Sequence, residues 1–155
     1  MPVPSHGDSF ADWLHSHAVP LTHLDPDAPL DDLEPLRGII RGACVVAIGE
    51  HSHFVHEFAQ LRRRILWFLA ERCGFTVLAF EYGFSEGFPL DAWARGEGAD
   101  DDLSAHLAAA IPIGLEEPLR WIRRHNRTAQ SPVRFAGIID TPASTVAGDL
   151  EGVRA

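Results

Sequence analysis

Three features of the sequence predict an α/β fold, a partial parallel sheet covered by helices. Three short apolar runs, Cys44 to Ile48, Phe75 to Phe80 and Val133 to Ile139, are rich in β-branched and aromatic residues. Runs of this kind read as strands buried in a parallel sheet. The segments between them carry the apolar period of helices, and strand–helix–strand order implies right-handed crossovers. A chain of 155 residues with 46% hydrophobic side chains also suits one domain with a real core. The expected organisation is a single α/β domain over 1–155, in which 1–30 form an N-terminal helix and a Pro-rich loop. Three strands leave two sheet edges to hide, so the sequence reads as the truncated front part of a larger α/β unit, with self-association through an open sheet edge expected.

Taken in order, residues 8–18 have Phe10, Trp13, Leu14 and His17 on one helical side, and Pro20 stops the helix. Asp31 and Asp32 then open a helix containing Leu33, Leu36, Ile39 and Ile40, where their charge suits the helix dipole. After the first apolar run, Gly49 ends the strand. Residues 53 to about 72 follow as a helix with apolar residues at Phe54, Phe58, Leu61, Ile65, Phe68 and Leu69, and Gly74 as its C-terminal cap. Ser85 to Ala94 reads as helical despite Gly87 and Pro89, and Gly96 and Gly98 break it. Asp100 to Ala110 is a short helix with an acidic start. Glu116 to Ala129 is the next, with Pro118 tolerated near its first turn.

Charge and composition exclude several classes. The formal net charge is −9, with acidic clusters at Asp25 to Glu34 and Glu97 to Asp102. A nucleic-acid partner would call for a basic face. The two basic runs, Arg62 to Arg64 and Arg120 to Arg127, fall at helical spacing and read as solvated helix faces. No apolar run approaches the roughly 20 residues of a membrane span, and the N-terminus lacks the pattern of a signal peptide, so a cytoplasmic protein without a membrane partner is expected. Cys44 and Cys73 read as small core residues rather than as a disulfide.

The chemistry gathers between Val45 and Arg64. In α/β sheets, reactive groups collect at the carboxyl ends of strands. Gly49-Glu50-His51-Ser52-His53 stands at one such end, Glu81 with Tyr82 at the second and Asp140 at the third. Three acids and neighbouring histidines on one rim point to a site. At about 100° per residue, Glu57 and Arg62 flank the apolar stripe of the helix and Arg63 faces water. His53 and Glu57 are four residues apart and share a face, and a carboxylate near the imidazole raises its basicity. His53 beside Glu50 or Glu57 is then a general base for activating water. The plainer alternative is that Glu57 and Arg62 make ion pairs that anchor the helix. His51-x-His53-x-x-His56 also partly resembles the HxHxDH motif of metallo-β-lactamase-fold hydrolases, which makes a zinc-dependent hydrolase a further alternative. Val55 stands where that motif has its acid, and the downstream ligands have no clear counterpart.

The residues together resemble the erythromycin esterase family. The resemblance rests on Val-Val-Ala-Ile-Gly-Glu-His-Ser-His-Phe-Val-His-Glu-Phe at 45–58, Leu-Arg at 61–62, Gly-Phe-Thr-Val-Leu-Ala-Phe-Glu-Tyr-Gly-Phe-Ser-Glu-Gly at 74–87 and Phe-Ala-Gly-Ile-Ile-Asp at 135–140. The segments Asp32-Leu-Glu-Pro-Leu-Arg-Gly-Ile-Ile and Leu-Arg-Trp-Ile-Arg-Arg-His-Asn at 119–126 extend it over most of residues 10–142. It implies hydrolysis of the lactone ester of macrolide antibiotics, which opens the ring and confers resistance, with no metal or other cofactor and a small-molecule macrolide as the partner. It makes His53 the base that activates water, Glu50 and Glu81 active-site acids, and Glu57 and Arg62 further motif positions. His51 replaces a small or polar residue of the family, and His56 is not a family position and is expected to be exposed. Family members are much longer, with a second histidine-bearing strand end in their C-terminal half. A non-catalytic remnant or binding module is therefore the second reading of this chain.

Overall fold

The computed structural model describes residues 9–49, 55–107 and 114–140. Helix α1 (Phe10–His17) is capped by Ser9, whose hydroxyl accepts the Asp12 N–H. Its rings stack on one another, Trp13 on His17 at 4.8 Å between centroids, and none of its residues is buried. A 3₁₀ turn (Asp31–Leu33) leads into α2 (Pro35–Ile40), with proline at the helix start, where a missing N–H costs nothing.

Helix α3 (His56–Cys73) is the long element. Gly74 ends it in the left-handed conformation, φ +77°, as the sequence suggests. Strand β1 (Val77–Gly83) follows, and α4 (Phe84–Ala94) starts directly from it. Helices α5 (Asp102–Leu107) and α6 (Glu116–Asn126) precede β2 (Arg134–Ile139). The strands pair in parallel, with Val77 opposite Arg134 and Phe80 opposite Gly137.

The sheet among the described residues therefore has two strands, not three. Residues 44–48 carry no strand, and Val45 is 81% exposed. A β-branched run becomes a strand only where a neighbouring ladder receives its backbone groups and a packed face receives its side chains, and the described residues supply no ladder to this segment and leave Val45 and Ile48 exposed. Cys44 is accordingly exposed rather than in the core, and Cys73 is half-buried.

Two apolar clusters hold the unit together. One joins Tyr82 and Phe135 of the sheet to Leu90 and Trp93 of α4, Leu103 of α5 and Leu119 and Ile122 of α6. The other packs Leu30 and Leu33 against Trp67 and Phe68 of α3. Along β1 the burial alternates: Leu78, Phe80 and Tyr82 face the core, while Val77, Ala79 and Glu81 are exposed. At Gly137 the backbones come too close for a side chain. A Cβ there would collide with the Gly83 carbonyl, and one on Gly87 would stand 2.7 Å from the Gly137 nitrogen. Helix α4 thus rests directly on the sheet, beside the carboxyl ends of both strands.

Two arginines read from sequence as part of solvated faces are core residues. Arg64 is fully buried, its guanidinium donating to Asp32 Oδ1 at 2.7 Å and Oδ2 at 3.0 Å and to the carbonyls of His23 and Pro29. Arg123 is buried as well, donating to Asp100 and to the carbonyls of Trp93, Glu97 and Gly98, with its guanidinium 4.6 Å from the Trp93 ring centroid. Arg63 does not face water either. It is half-buried, and its Nε is shielded from solvent without a partner among the described residues.

Candidate active site at the carboxyl ends of the strands

Glu81 and Asp140 stand at the carboxyl ends of two adjacent parallel strands, where α/β folds place their chemistry. The register shows how Glu81 is presented. Between the pairs Phe80–Gly137 and Gly83–Ile139, β1 has one more residue than β2, which is a β-bulge over Glu81 and Tyr82. A bulge bends its strand and re-aims side chains, and bulges collect beside active sites. Glu81 is exposed here, whereas Tyr82 turns into the core and its hydroxyl donates to the His106 carbonyl at 3.4 Å. Burial, with a smaller contribution from the charge of Glu86, raises the Tyr82 pKa and keeps the phenol neutral. Asp140 directly follows β2 and is exposed.

Helix α3 brings Arg62 to this end of the sheet. Its guanidinium lies over the ring of Phe80, 5.5 Å from the centroid, one residue before Glu81. It also reaches the turn before α6, where a Cβ on Gly114 would meet its Nη2 at 3.7 Å. A cation on an aromatic face is held in place without losing its charge. Glu57 is exposed in the first turn of α3 and makes no ion pair among the described residues, unlike the anchoring pair that the plainer reading expects. His56 is the first residue of α3 and is exposed, as expected. Glu50, His51 and His53 lie outside the described residues. The structure thus brings Arg62 to Phe80, the residue before Glu81. The zinc cluster His51/His53/His56 has only His56 among the described residues.

Sequence reasoning missed a group that stiffens the sheet at the opposite end of β2. Asp91, buried on α4, accepts the Phe135 N–H at 2.9 Å and hydrogen bonds from Arg134 at 2.7 and 3.0 Å. Burial pushes its carboxyl up, but the Arg134 and Phe135 hydrogen bonds and the nearby charges of Arg134 and Arg95 outweigh that and leave its pKa lowered. Asp91 therefore stays ionised and ties α4 to the start of β2. Its sequence signal was the placing of a charge one position after Leu90, on the face of α4 that turns inward.

Comparison with known proteins completes the picture. A sequence profile of the erythromycin esterase family matches residues 70–151. Erythromycin esterase type II of Escherichia coli is 40% identical over 130 residues, which cover 83% of this chain and 31% of that enzyme. Erythromycin esterase type I of Escherichia coli is 27% identical over 108 residues, 70% of this chain and 27% of that enzyme. The crystal structure of a Bacillus cereus protein superposes with a TM-score of 0.74 at 33% identity, covering 82% of this chain and 31% of its own. The chain spans less than a third of the length of the curated relatives named here.

Proposed function

The chain belongs to the erythromycin esterase family, and from that membership we propose that it supplies the water-activating residues of a carboxylic ester hydrolase that opens macrolide lactones. The observation that carries this reading is the 40% identity to the type II erythromycin esterase over 83% of the chain. In the proposed reaction His53 takes a proton from water while Glu50 orients the imidazole. The hydroxide attacks the lactone carbonyl, and donors of Arg62 stabilise the tetrahedral oxyanion. The intermediate collapses with cleavage of the acyl–oxygen bond, and the imidazolium returns its proton to the ring alkoxide. Glu81 holds the attacking water, and Glu57, exposed in the first turn of α3, favours the charged imidazole through its field. No metal or cofactor takes part. Opening the ring would inactivate the antibiotic and confer resistance on a cell that holds the enzyme in its cytoplasm.

The test is mass spectrometry of erythromycin incubated with the chain, beside a His53→Ala variant. Addition of one water that disappears in the variant and survives a chelator supports the proposal. Unchanged macrolide with a folded chain refutes it for these 155 residues, and dependence on added zinc would transfer the reaction to the His51/His53/His56 cluster. A second reading, a binding module that does not turn over, is favoured by the exposed apolar side chains of the small sheet, Val77 at 57% and Ile138 at 64%. It predicts self-association through a sheet edge, seen as a dimer in sedimentation, and ligand binding without hydrolysis.

A further inference from the structure

Both cysteines of the chain line one cavity, away from the strand-end rim. Helix α2 ends at Ile40, and Gly42 turns the chain in the left-handed conformation, φ +73°. Ala43 and Cys44 then form one side of a cavity of about 240 Å³. Its other side is Cys73, Gly74 and the entry to β1 from Phe75 to Val77. Cys73 is the last residue of α3. Neither thiol is in a disulfide, and Cys44 is exposed while Cys73 is half-buried.

The junction that holds them is firmly tied. Arg37 of α2 donates to the Arg72 carbonyl at 2.6 Å, one residue before Cys73. Glu34 pairs with Arg37 at 2.9 Å and with Arg72 at 3.2 Å, and Asp31 lies 3.6 Å from Arg72. Ile40 and Cys73 pack against the same apolar cluster, that of Leu33 and Phe68. The end of α2 is thus fixed on the end of α3, and Cys44 follows Ile40 by only four residues. A disulfide needs its Cα atoms at about 4.4–6.8 Å. Closing one here asks movement of the 43–49 run alone, which has no sheet ladder to break among the described residues.

We propose that Cys44 and Cys73 form a reversible disulfide by exchange with a low-molecular-weight disulfide, pinning the start of the 44–48 run to the start of β1. The exposed Cys44 thiolate attacks one sulfur of the small disulfide and expels the other half as a thiolate, which takes up the proton that Cys44 gave up. Cys73, deprotonated in turn, attacks Cys44 Sγ, and the second small thiol leaves with that proton. The protein loses two hydrogens and two electrons, and the small disulfide gains them as two thiols. In reducing compartments such pairs act as redox sensors rather than as permanent staples. Residues 44–48 lead in sequence to Glu50 and His53, so the bond would anchor that stretch whether or not it serves hydrolysis.

The experiment equilibrates the reduced full chain with oxidised and reduced glutathione at graded ratios and quenches it with acid. Intact mass is expected to fall by two hydrogens in a chain that stays monomeric in sedimentation, and peptide mapping without reductant is expected to join the Cys44 and Cys73 peptides. The exchange constant of the folded chain is expected to exceed that of the urea-unfolded chain about 30-fold or more, the lower end of the usual stabilisation by a native disulfide. Backbone amides of residues 45–48 are expected to exchange with deuterium more slowly after oxidation and to recover on reduction. Glutathione adducts without the internal bond, cross-linked dimers as the product, equal exchange constants in the folded and unfolded chain, or amide exchange unaltered by oxidation would each overturn the proposal.

Discussion

Replacing Asp32 by alanine removes the one carboxylate among the described residues that bonds the Arg64 guanidinium, which has no solvent contact. Arg64 has 0% and Asp32 7% of its side chain exposed, and two charge-assisted hydrogen bonds join them. Breaking such a pair from one side costs roughly 3–5 kcal/mol, because the remaining charge stays buried. The His23 and Pro29 carbonyls still hold Arg64, so the lower end, about 3 kcal/mol, is expected. At an m-value of about 2 kcal/mol/M this shifts the urea midpoint down by about 1.5 M. Against a typical domain stability of about 5–15 kcal/mol, such a loss is large. The double variant Asp32→Leu with Arg64→Met removes both charges and should regain most of it. The pH dependence follows from the same pair. The Arg64 hydrogen bond is the largest cause that holds the Asp32 carboxyl well below its ordinary value of 3.8. A carboxyl with a depressed folded-state pKa stabilises the fold fully above its unfolded value and loses that contribution as pH falls towards the folded one. The stability gap between the wild-type chain and Asp32→Asn should therefore be constant above about pH 5 and shrink below about pH 4. A loss under about 1 kcal/mol for Asp32→Ala, or a gap that does not change in acid, would refute the reasoning.

Two further outcomes test other parts of the structure. Gly137→Ala should destabilise by about 1–3 kcal/mol or more, since its Cβ meets backbone that cannot yield. Gly38→Ala, in helix α2 with open space around it, should instead be neutral or stabilising by up to about 1 kcal/mol. Equal effects in thermal unfolding would show that the contact of Gly137 with the end of β1 is looser than described. A thiol reagent should modify Cys44, which is exposed, faster than the half-buried Cys73 in the native chain. Peptide mass mapping of a short alkylation pulse decides this, and equal labelling would mean that residues 43–49 are packed.

Most of the helices and two strands were legible because each rests on local signals: apolar period, acidic starts, and glycine or proline stops. Gly74 is the clearest case, since only one conformation ends α3 there. The third strand was misread because Cys44 to Ile48 carries the composition of a strand, while strand formation depends on a partner that composition does not specify. The buried arginines were misread for a different reason. Neighbouring arginines look like one basic run, yet their angular positions differ by about 100° each. Arg64 stands four residues before Phe68 and Arg123 four after Leu119, so both fall on buried stripes. A reading by helical angle rather than by charge count finds them. The rim was half legible. The strand-end acids Glu81 and Asp140 follow from the strand pattern, but the bulge that presents Glu81 depends on the register with β2 and has no sequence signal of its own.

These features bear on function through placement. A strand-end carboxylate is useful only if the strand end is fixed, because small displacements of a catalytic group lower rates steeply. Two devices act at this strand end and a third anchors the other end of β2. The glycine contact seats α4 on the sheet beside the bulge, Asp91 binds the backbone of Phe135 at the base of β2, and Arg62 rests on Phe80 next to Glu81. The Arg64–Asp32 pair then ties α3, which carries Arg62, to the turn before α2. A single break should therefore act unevenly. Losing Asp32 should lower stability through the far side of α3, whereas a Cβ at Gly137 should disturb the rim itself. Hydrolysis measured on both variants at equal folded fraction separates the two. A larger loss in Gly137→Ala is expected if the rim is the site of chemistry, and an equal loss would move the site away from the strand ends.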